Sequence, residues 1–279
     1  MKKISKKKYT ILITGHKGYL GSHINNYFEE NYFKEFDIYH LNDLKKKNKI
    51  KKIDYIIHLA FSFQNNNMMS KNKLLLKKII DIKKKFNIFL FFFSSSAVYG
   101  INQKKIKINE NYIKKPISLY GEVKLELEKV LIHLASQKDI KNIFILRLFN
   151  IVGGQTKKNY LLPYVFNNLS KKKGIKIHNP YHVRDFLDIN LLCEIIIRLM
   201  RKKQQFKFKI LNVGSEQPTN IYKIVNKIAD IFNFEKKLIK FNDSKEFDYS
   251  VSDSTNLKKY LNFYYSYKLN RNNLIKIFQ

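Results

Sequence analysis

Residues 10–24 read TILITGHKGYLGSHI, and the fold turns on how that stretch is read. An apolar run, Ile11 to Ile13, breaks at Gly15. Gly18 and Gly21 follow in G-x-x-G-x-x-G spacing, and residues 20–33 then carry a helical pattern. A buried strand that enters a glycine turn and leaves it as a helix can hold a pyrophosphate. The first glycine permits the tight turn, the second lets the backbone approach the phosphates, and the third lets helix and strand pack closely. The helix N-terminus favours the negative charge. The whole chain of 279 residues has nine glycines, so three within seven positions is not a product of composition. Lys17, Tyr19 and Leu20 complete the turn and join Gly15, Gly18 and Gly21 as candidate cofactor contacts.

Outward from this turn the same rhythm repeats. Phe36–Leu41 reads as a second strand and Asp54–Phe61 as a third. Residues 73–85 read as a helix with Leu74, Leu75, Ile79 and Ile82 on one face. Asn87–Ser94 is a strand, Leu119–Ala135 a helix and Asn142–Asn150 another strand. Strands that alternate with helices indicate an α/β protein, a doubly wound parallel sheet of Rossmann type covered on both faces. After Gly154 the alternation loosens. Residues 161–178 read as a helix and a short strand, 184–200 enter another helix, 210–232 read as strand, turn and helix, and the tail from Glu235 reads as polar and irregular. The expected organisation is a dinucleotide-binding domain over residues 1–155. A smaller substrate lobe over 156–279 is interleaved with the sheet.

Composition excludes several classes. One cysteine, Cys193, leaves no internal disulfide framework and no CxxC pair for zinc, and it reads as a core thiol. The longest apolar run, Ile88–Phe93, is too short to span a bilayer. The N-terminal lysines and short apolar run stop at His16-Lys17, so no export signal is read there, and a cytoplasmic location is expected. The net charge of +32 would ordinarily point to nucleic acid. Lys, Ile, Asn, Phe and Tyr are abundant together, however, and share A/T-rich codons. The lysines are spread along the chain rather than gathered in one arm, so a nucleic-acid partner is not expected. His178 and His182 are four apart, but Pro180 between them argues against a helical metal site, and no metal is expected.

Tyr120 and Lys124 supply the second chemical signal. Four residues apart on a helix, they share a face and can address one substrate. A nearby ammonium favours the phenolate, which tunes the phenol for proton exchange with a hydroxyl or carbonyl. The spacing alone means little: 18 tyrosines and 49 lysines make about three such pairs expected by chance, and the chain has two. Context separates them. Tyr120 follows Pro116 and Ser118 and opens a long amphipathic helix, whereas Tyr264 and Lys268 fall in the tail. Upstream of Tyr120, FFFSSSAVYG over Phe91–Gly100 ends a strand in hydroxyls. That places Ser94, Ser95 and Ser96 at the C-terminal edge of the sheet, where ligands bind in such folds.

Together these motifs resemble the extended short-chain dehydrogenase/reductase family, the NAD-dependent epimerase/dehydratase group that modifies nucleotide sugars. The family's SSxxVYG-like motif places its active hydroxyl four residues before the tyrosine, here Tyr99, which selects Ser95 beside Tyr120 and Lys124 as catalytic. Ser96 falls next to it on the substrate side. DYIIHLA resembles the strand that brings Leu59 and Ala60 to the cofactor. LRLFNIVGG resembles the segment whose asparagine, Asn150, lies by the substrate. Arg184 of RDF resembles the arginine that grips a nucleotide-sugar diphosphate, and LNVGSEQPTNIYKIV resembles a C-terminal-lobe segment. The resemblance implies NAD or NADP as cofactor, a nucleotide-sugar substrate and a role in surface polysaccharide assembly. For KLELEKVL, Lys124–Leu131, it leaves a homodimer helix pair and a solvated face as alternatives.

The sequence also departs from the family. Relatives that use NAD end the second strand in an acid. Here Asn42 stands at that place with Asp43 beside it, and Lys17 offers a partner for a 2′-phosphate, so NAD and NADP both stay open. Ser96 and Ala97 occupy the positions of the acid pair found in 4,6-dehydratases, which removes the proton shuttles for water elimination. Asp188 and Asn190 replace an aromatic and an acid after RDF. The expected activity is hydride transfer at a sugar carbon, C4, with 4-ketoreductase favoured over 4-epimerase. The rival is a catalytically inactive NAD(P)- or RNA-binding protein on the same scaffold.

Overall fold

The computed structural model describes residues 8–46, 52–85, 88–154, 160–202, 204–242 and 246–278. Asn87, residue 155 and residues 1–7, on which parts of the strand, boundary and N-terminal readings fall, lie outside them. The elements run β1 Tyr9–Thr14, α1 Tyr19–Tyr32, β2 Phe36–Tyr39, α2 Leu41–Lys46, β3 Tyr55–His58, α3 Met68–Lys85, β4 Phe89–Ser95, α4 Leu119–Ser136, β5 Ile143–Leu148 and β6 Asn150–Val152. There follow α5 Leu161–Leu169, β7 Ile175–Ile177, β8 Val183–Asp188, α6 Ile189–Arg201, β9 Phe208–Val213, β10 Pro218–Asn220, α7 Ile221–Ile231, β11 Ile239–Phe241, β12 Tyr249–Ser250, α8 Thr255–Leu261 and α9 Arg271–Phe278.

The chain divides into two compact units. The first comprises residues 1–98, 118–147 and 193–211. Its sheet has the order β2-β1-β3-β4-β5-β9, with β1 parallel to both β2 and β3 and β3 parallel to β4. This is the expected doubly wound α/β sheet. Its strands are apolar on both faces: Ile11, Leu12, Ile13, Ile56, Ile57, Phe91, Ile143 and Ile145 are all fully buried. Leu76, Ile79 and Ile80 of α3 and Val123, Leu127 and Leu131 of α4 close a core over it. Each such side chain contributes about 1.5–3 kcal/mol of burial. Ser118 caps α4, its Oγ accepting from Gly121 N at 3.2 Å.

The second unit comprises residues 99–117, 148–192 and 212–279. Strand β8 is its centre, antiparallel to β10 and parallel to β6 and β12. β7 pairs with β11 in parallel. Its own core joins Leu162, Val165 and Leu169 of α5 to Ile224, Val225 and Ile228 of α7 and Leu274 of α9. Buried Asp185 ties the loops around β8 together, accepting from the backbone N–H groups of Ser215, Glu216 and Ser252.

Three sequence expectations change. The second strand stops at Tyr39, and Leu41 opens α2 instead of ending the strand. Val183–Asp188 is a strand before the helix begins, because Asp188 Oδ1 accepts from Asn190 N and Leu191 N and starts α6 there. The tail is ordered rather than irregular. α9 buries Leu274 and stacks Phe278 on Phe166 with centroids 4.3 Å apart, so its few apolar residues find a core made by distant segments. Among the described residues, no helix is long and apolar enough to cross a membrane, and no group of three His, Cys, Asp or Glu could hold a metal ion.

Candidate active site

The glycine turn forms as its spacing predicts. Gly15 has φ +76°, and a Cβ there would lie 2.6 Å from Ala60 N, so Leu59 and Ala60 abut the turn. A Cβ on Gly21 would lie 2.1 Å from Gly15 O, so α1 starts against the turn's backbone. Gly18, the α1 N-cap residue, offers no side-chain cap, and the first turn of α1 has no acid, which leaves that end suited to a phosphate. Thr14 and His58 lock the neighbouring strand ends: Thr14 Oγ1 is 2.7 Å from His58 Nδ1 and accepts from Ala60 N at 3.3 Å. Burial, and secondarily Lys124, pull His58 down to about 3, so it stays neutral. These features fit a dinucleotide pyrophosphate. Gly21→Ala must push backbone against backbone and is expected to cost about 1–3 kcal/mol. Urea unfolding and loss of ADP-ribose binding would measure it.

Beyond β2, Asn42 and Asp43 lie in the short α2 rather than at the strand end, because Asp43 Oδ2 accepts the His40 N–H at 2.8 Å and holds the turn. The ring of His40 stacks on that of His16, centroids 3.8 Å apart. His16 is held below the usual histidine range, first by burial and then by His40 and Lys17.

At the C-terminal end of β4, Lys124 Nζ donates to Phe93 O at 2.6 Å. It lies 4.5 Å from the centre of the Phe61 ring, 5.2 Å from that of Phe92 and 5.8 Å from that of Tyr120. Burial pulls Lys124 down to about 7, opposed by Glu128. Tyr120 meets Phe61 edge-on at 5.1 Å and stacks on Phe63 at 5.8 Å. The serines separate by role. Ser94 Oγ donates to Glu128, which also pairs with Arg147 at 2.6 Å, both nearly fully buried. Ser95 Oγ accepts from Ala97 N at 3.2 Å, and Ser96 begins a short 3₁₀ turn that packs against α4. Ser95, Ser96, Tyr120 and Lys124 are thus gathered at one end of β4. Within Lys124–Leu131, Lys124 and Glu128 are core-facing, while Glu126 pairs with Lys73 at 3.0 Å near the surface.

In the second unit, Asn150 and Arg184 line one cavity of about 270 Å³ together with Tyr160, His178, His182 and Phe186. Arg184 Nη1 is 2.9 Å from Asp248 Oδ2, and its Nη2 is 2.7 Å from His182 Nδ1. Asn150 Nδ2 donates to Asp185 O at 2.9 Å. His182 Nε2 is buried in the cavity lining. By contrast, Tyr264 is 72% exposed and lies outside any helix, so the second Tyr-x-x-x-Lys spacing forms no helical pair.

Residues 11–214 match the model of the NAD dependent epimerase/dehydratase family. The chain belongs to that family. Among curated relatives, GDP-6-deoxy-D-talose 4-dehydrogenase of Aggregatibacter actinomycetemcomitans is 26% identical over 242 residues, covering 79% of each chain. Among solved structures, dTDP-glucose 4,6-dehydratase of Bacillus anthracis str. Ames in complex with NAD is similar at TM-score 0.83. It is 18% identical and covers 96% of this chain and 95% of that one. RMD from Pseudomonas aeruginosa complexed with NADPH is similar at TM-score 0.81, with 18% identity and 97% and 96% covered. At these identities the structures establish a shared fold. Sequence reasoning gave this family member no role for Phe61, Phe63, His16, His40 or His182. None is a defining residue of a motif, and Phe61, Phe63, His16 and His40 are placed by contacts across distant segments.

Proposed function

We propose that the protein is an NAD(P)-dependent oxidoreductase or epimerase of a nucleotide-activated sugar, acting by hydride transfer at C4, with reduction of a 4-keto sugar favoured over 4-epimerisation. The observation that carries this is the pair Tyr120 and Lys124, seated at the serine-bearing end of β4 in the same unit as the open glycine turn. Gly15, Gly18, Tyr19, Leu20 and Gly21 would hold the pyrophosphate, and Leu59 and Ala60 the wall beside it. A bound reduced nicotinamide would supply the hydride. Tyr120 gives its phenolic proton to the sugar carbonyl oxygen, which becomes the hydroxyl, and recovers a proton from solvent. Lys124 eases this by favouring the phenolate, and the charge left on the phenol in turn favours the ammonium at a site where burial alone would weaken it. Ser95, with Ser96 beside it, holds the reacting oxygen by a hydrogen bond. Arg184 and Asn150 line the cavity assigned to the nucleotide sugar, where a guanidinium suits a diphosphate. The positions of Ser96 and Ala97 keep water elimination out of this reading.

The curated 4-dehydrogenase of a GDP-sugar supports redox chemistry at C4. The test is turnover with a panel of UDP-, GDP-, CDP- and dTDP-linked 4-keto sugars, following reduced-cofactor absorbance. Reductant-dependent consumption is expected. Protein that purifies with bound NAD and interconverts C4 epimers without added reductant would make it an epimerase. Tight RNA binding at physiological salt, with no thermal shift from any sugar nucleotide, would establish the inactive binding protein.

A further inference from the structure

We infer that the first unit carries a second ligand site at the N-terminal edge of its sheet, between the end of α3 and the turn from α4 into β5, and that its ligand is a compact polyphosphate group. The site is separate from the reaction proposed above, since neither the glycine turn nor the Tyr120 end of β4 contributes a residue to it.

The sheet order puts β4 beside β5. Lys83, Lys84 and Lys85 close α3 just before β4, and Lys138, Asp139 and Lys141 fall just before β5. Together with buried Ile140 they line a cavity of about 420 Å³, the size of a small-ligand pocket. Strand β4 has seven residues, and a rise of about 3.3 Å for each puts the cavity roughly 20 Å from the end that bears Ser95.

Two observations set this cavity apart from an ordinary lysine-rich surface. First, its charge is uncompensated. Five ammoniums face one carboxylate, and none of the five is in an ion pair among the described residues. Lysines do suit helix C-termini, but the ends of α3 and α4 contribute only about half a negative charge each, so an excess of about three positive charges remains. Second, one ammonium is built into the wall. Lys83 is 4% exposed, and its Nζ donates to Ile88 O, its one acceptor among the described residues. An ammonium has three N–H groups, so Lys83 keeps donors for a ligand. Burial, and then Lys141, pull Lys83 down to about 8, as a like charge beside a buried ammonium must.

Shape and lining choose the ligand class. A concavity does not fit a flat membrane surface, and no aromatic side chain lines it to stack a base. A short chain of phosphates suits it: several charges answer the excess, and the oxygens accept from the ammoniums. Free polyphosphate and the triphosphate of a nucleotide share this chemistry.

The experiment is isothermal titration of the purified protein with orthophosphate, tripolyphosphate, ATP and a short single-stranded RNA, each with ADP-ribose present in excess to fill the glycine turn. Tripolyphosphate is expected to bind about 10- to 100-fold more tightly than orthophosphate, the range of one or two further charge-assisted hydrogen bonds, and more weakly as salt rises. Lys84 and Lys138 are exposed, one from each segment. Lys84→Gln with Lys138→Gln should lower tripolyphosphate affinity about tenfold and leave ADP-ribose affinity unchanged. The double variant loses repulsion, so without ligand it should melt no lower than the wild type, and tripolyphosphate should raise its midpoint less. ATP binding comparable to that of tripolyphosphate would name a nucleotide as a source of the group, and ATP failing to bind would name the free chain. Tripolyphosphate no tighter than orthophosphate, affinity unchanged in the double variant, or a lowered midpoint in that variant would overturn the inference. RNA bound far more tightly than tripolyphosphate, and lost with the same two lysines, would overturn it in favour of nucleic acid. Failure of ADP-ribose to bind would count against the dinucleotide reading alone.

Discussion

Tyr120→Phe is expected to lower kcat/KM by about 10²- to 10⁴-fold, the range a positioned proton donor contributes, while leaving the fold and cofactor binding in place. The substitution suits the question because it removes one oxygen and keeps the ring. The phenyl group still meets Phe61 edge-on and stacks on Phe63, and Lys124 still sees an aromatic face. An unchanged thermal midpoint with lost turnover therefore reports proton transfer rather than packing. Unchanged turnover would remove Tyr120 from the chemistry. Steady-state kinetics on the best substrate of the nucleotide-sugar panel, beside a thermal melt, decides it.

The second large effect belongs to stability. Glu128 and Arg147 form a nearly fully buried ion pair, with side chains 1% and 2% exposed. Arg147→Met leaves the buried Glu128 carboxylate beside the Ser94 hydroxyl without its guanidinium partner. Breaking such a pair costs about 3–5 kcal/mol, against total stabilities of about 5–15 kcal/mol. Urea unfolding should show a midpoint lowered to match. Replacing both partners by apolar residues, Glu128→Leu with Arg147→Met, should recover most of the loss, since no charge is left unpaired. If the single variant unfolds at the wild-type midpoint, the pair does not hold the α4–β5 contact. Because Glu128 sits one helical turn after Lys124, the pair also fixes the helix that presents Tyr120 and Lys124.

The parallel sheet and the glycine turn were readable because their signals are local. Strand, turn and helix follow one another directly from Tyr9 to Tyr32, and glycine is rare elsewhere. The choice of Tyr120 over Tyr264 was also local: Ser118 caps a helix before the first and nothing comparable precedes the second. What escaped was long-range. Nothing in Glu128 or Arg147 alone says that they meet, since one reads as a helix charge and the other as an anomaly in an apolar strand. His16 and His40 stack across 24 positions. The six residues of α2 look like a lysine-rich loop, and a carboxylate turned back onto the His40 amide is what starts them as a helix. In α9, Arg271, Asn272 and Asn273 mask an apolar face that has meaning only against Phe166 and Phe232.

The order of segments carries a consequence for the gene. The first unit draws on three stretches of chain, and its last strand, β9, pairs beside β5 only after the polypeptide has passed through β6 and β8 of the second unit. A fragment translated only to the end of β5 exposes that strand's unpaired edge, a template for association with other chains. Nascent protein must therefore tolerate or shield an open sheet until about 60 more residues emerge, and neither half can be exchanged with a relative by a single recombination event.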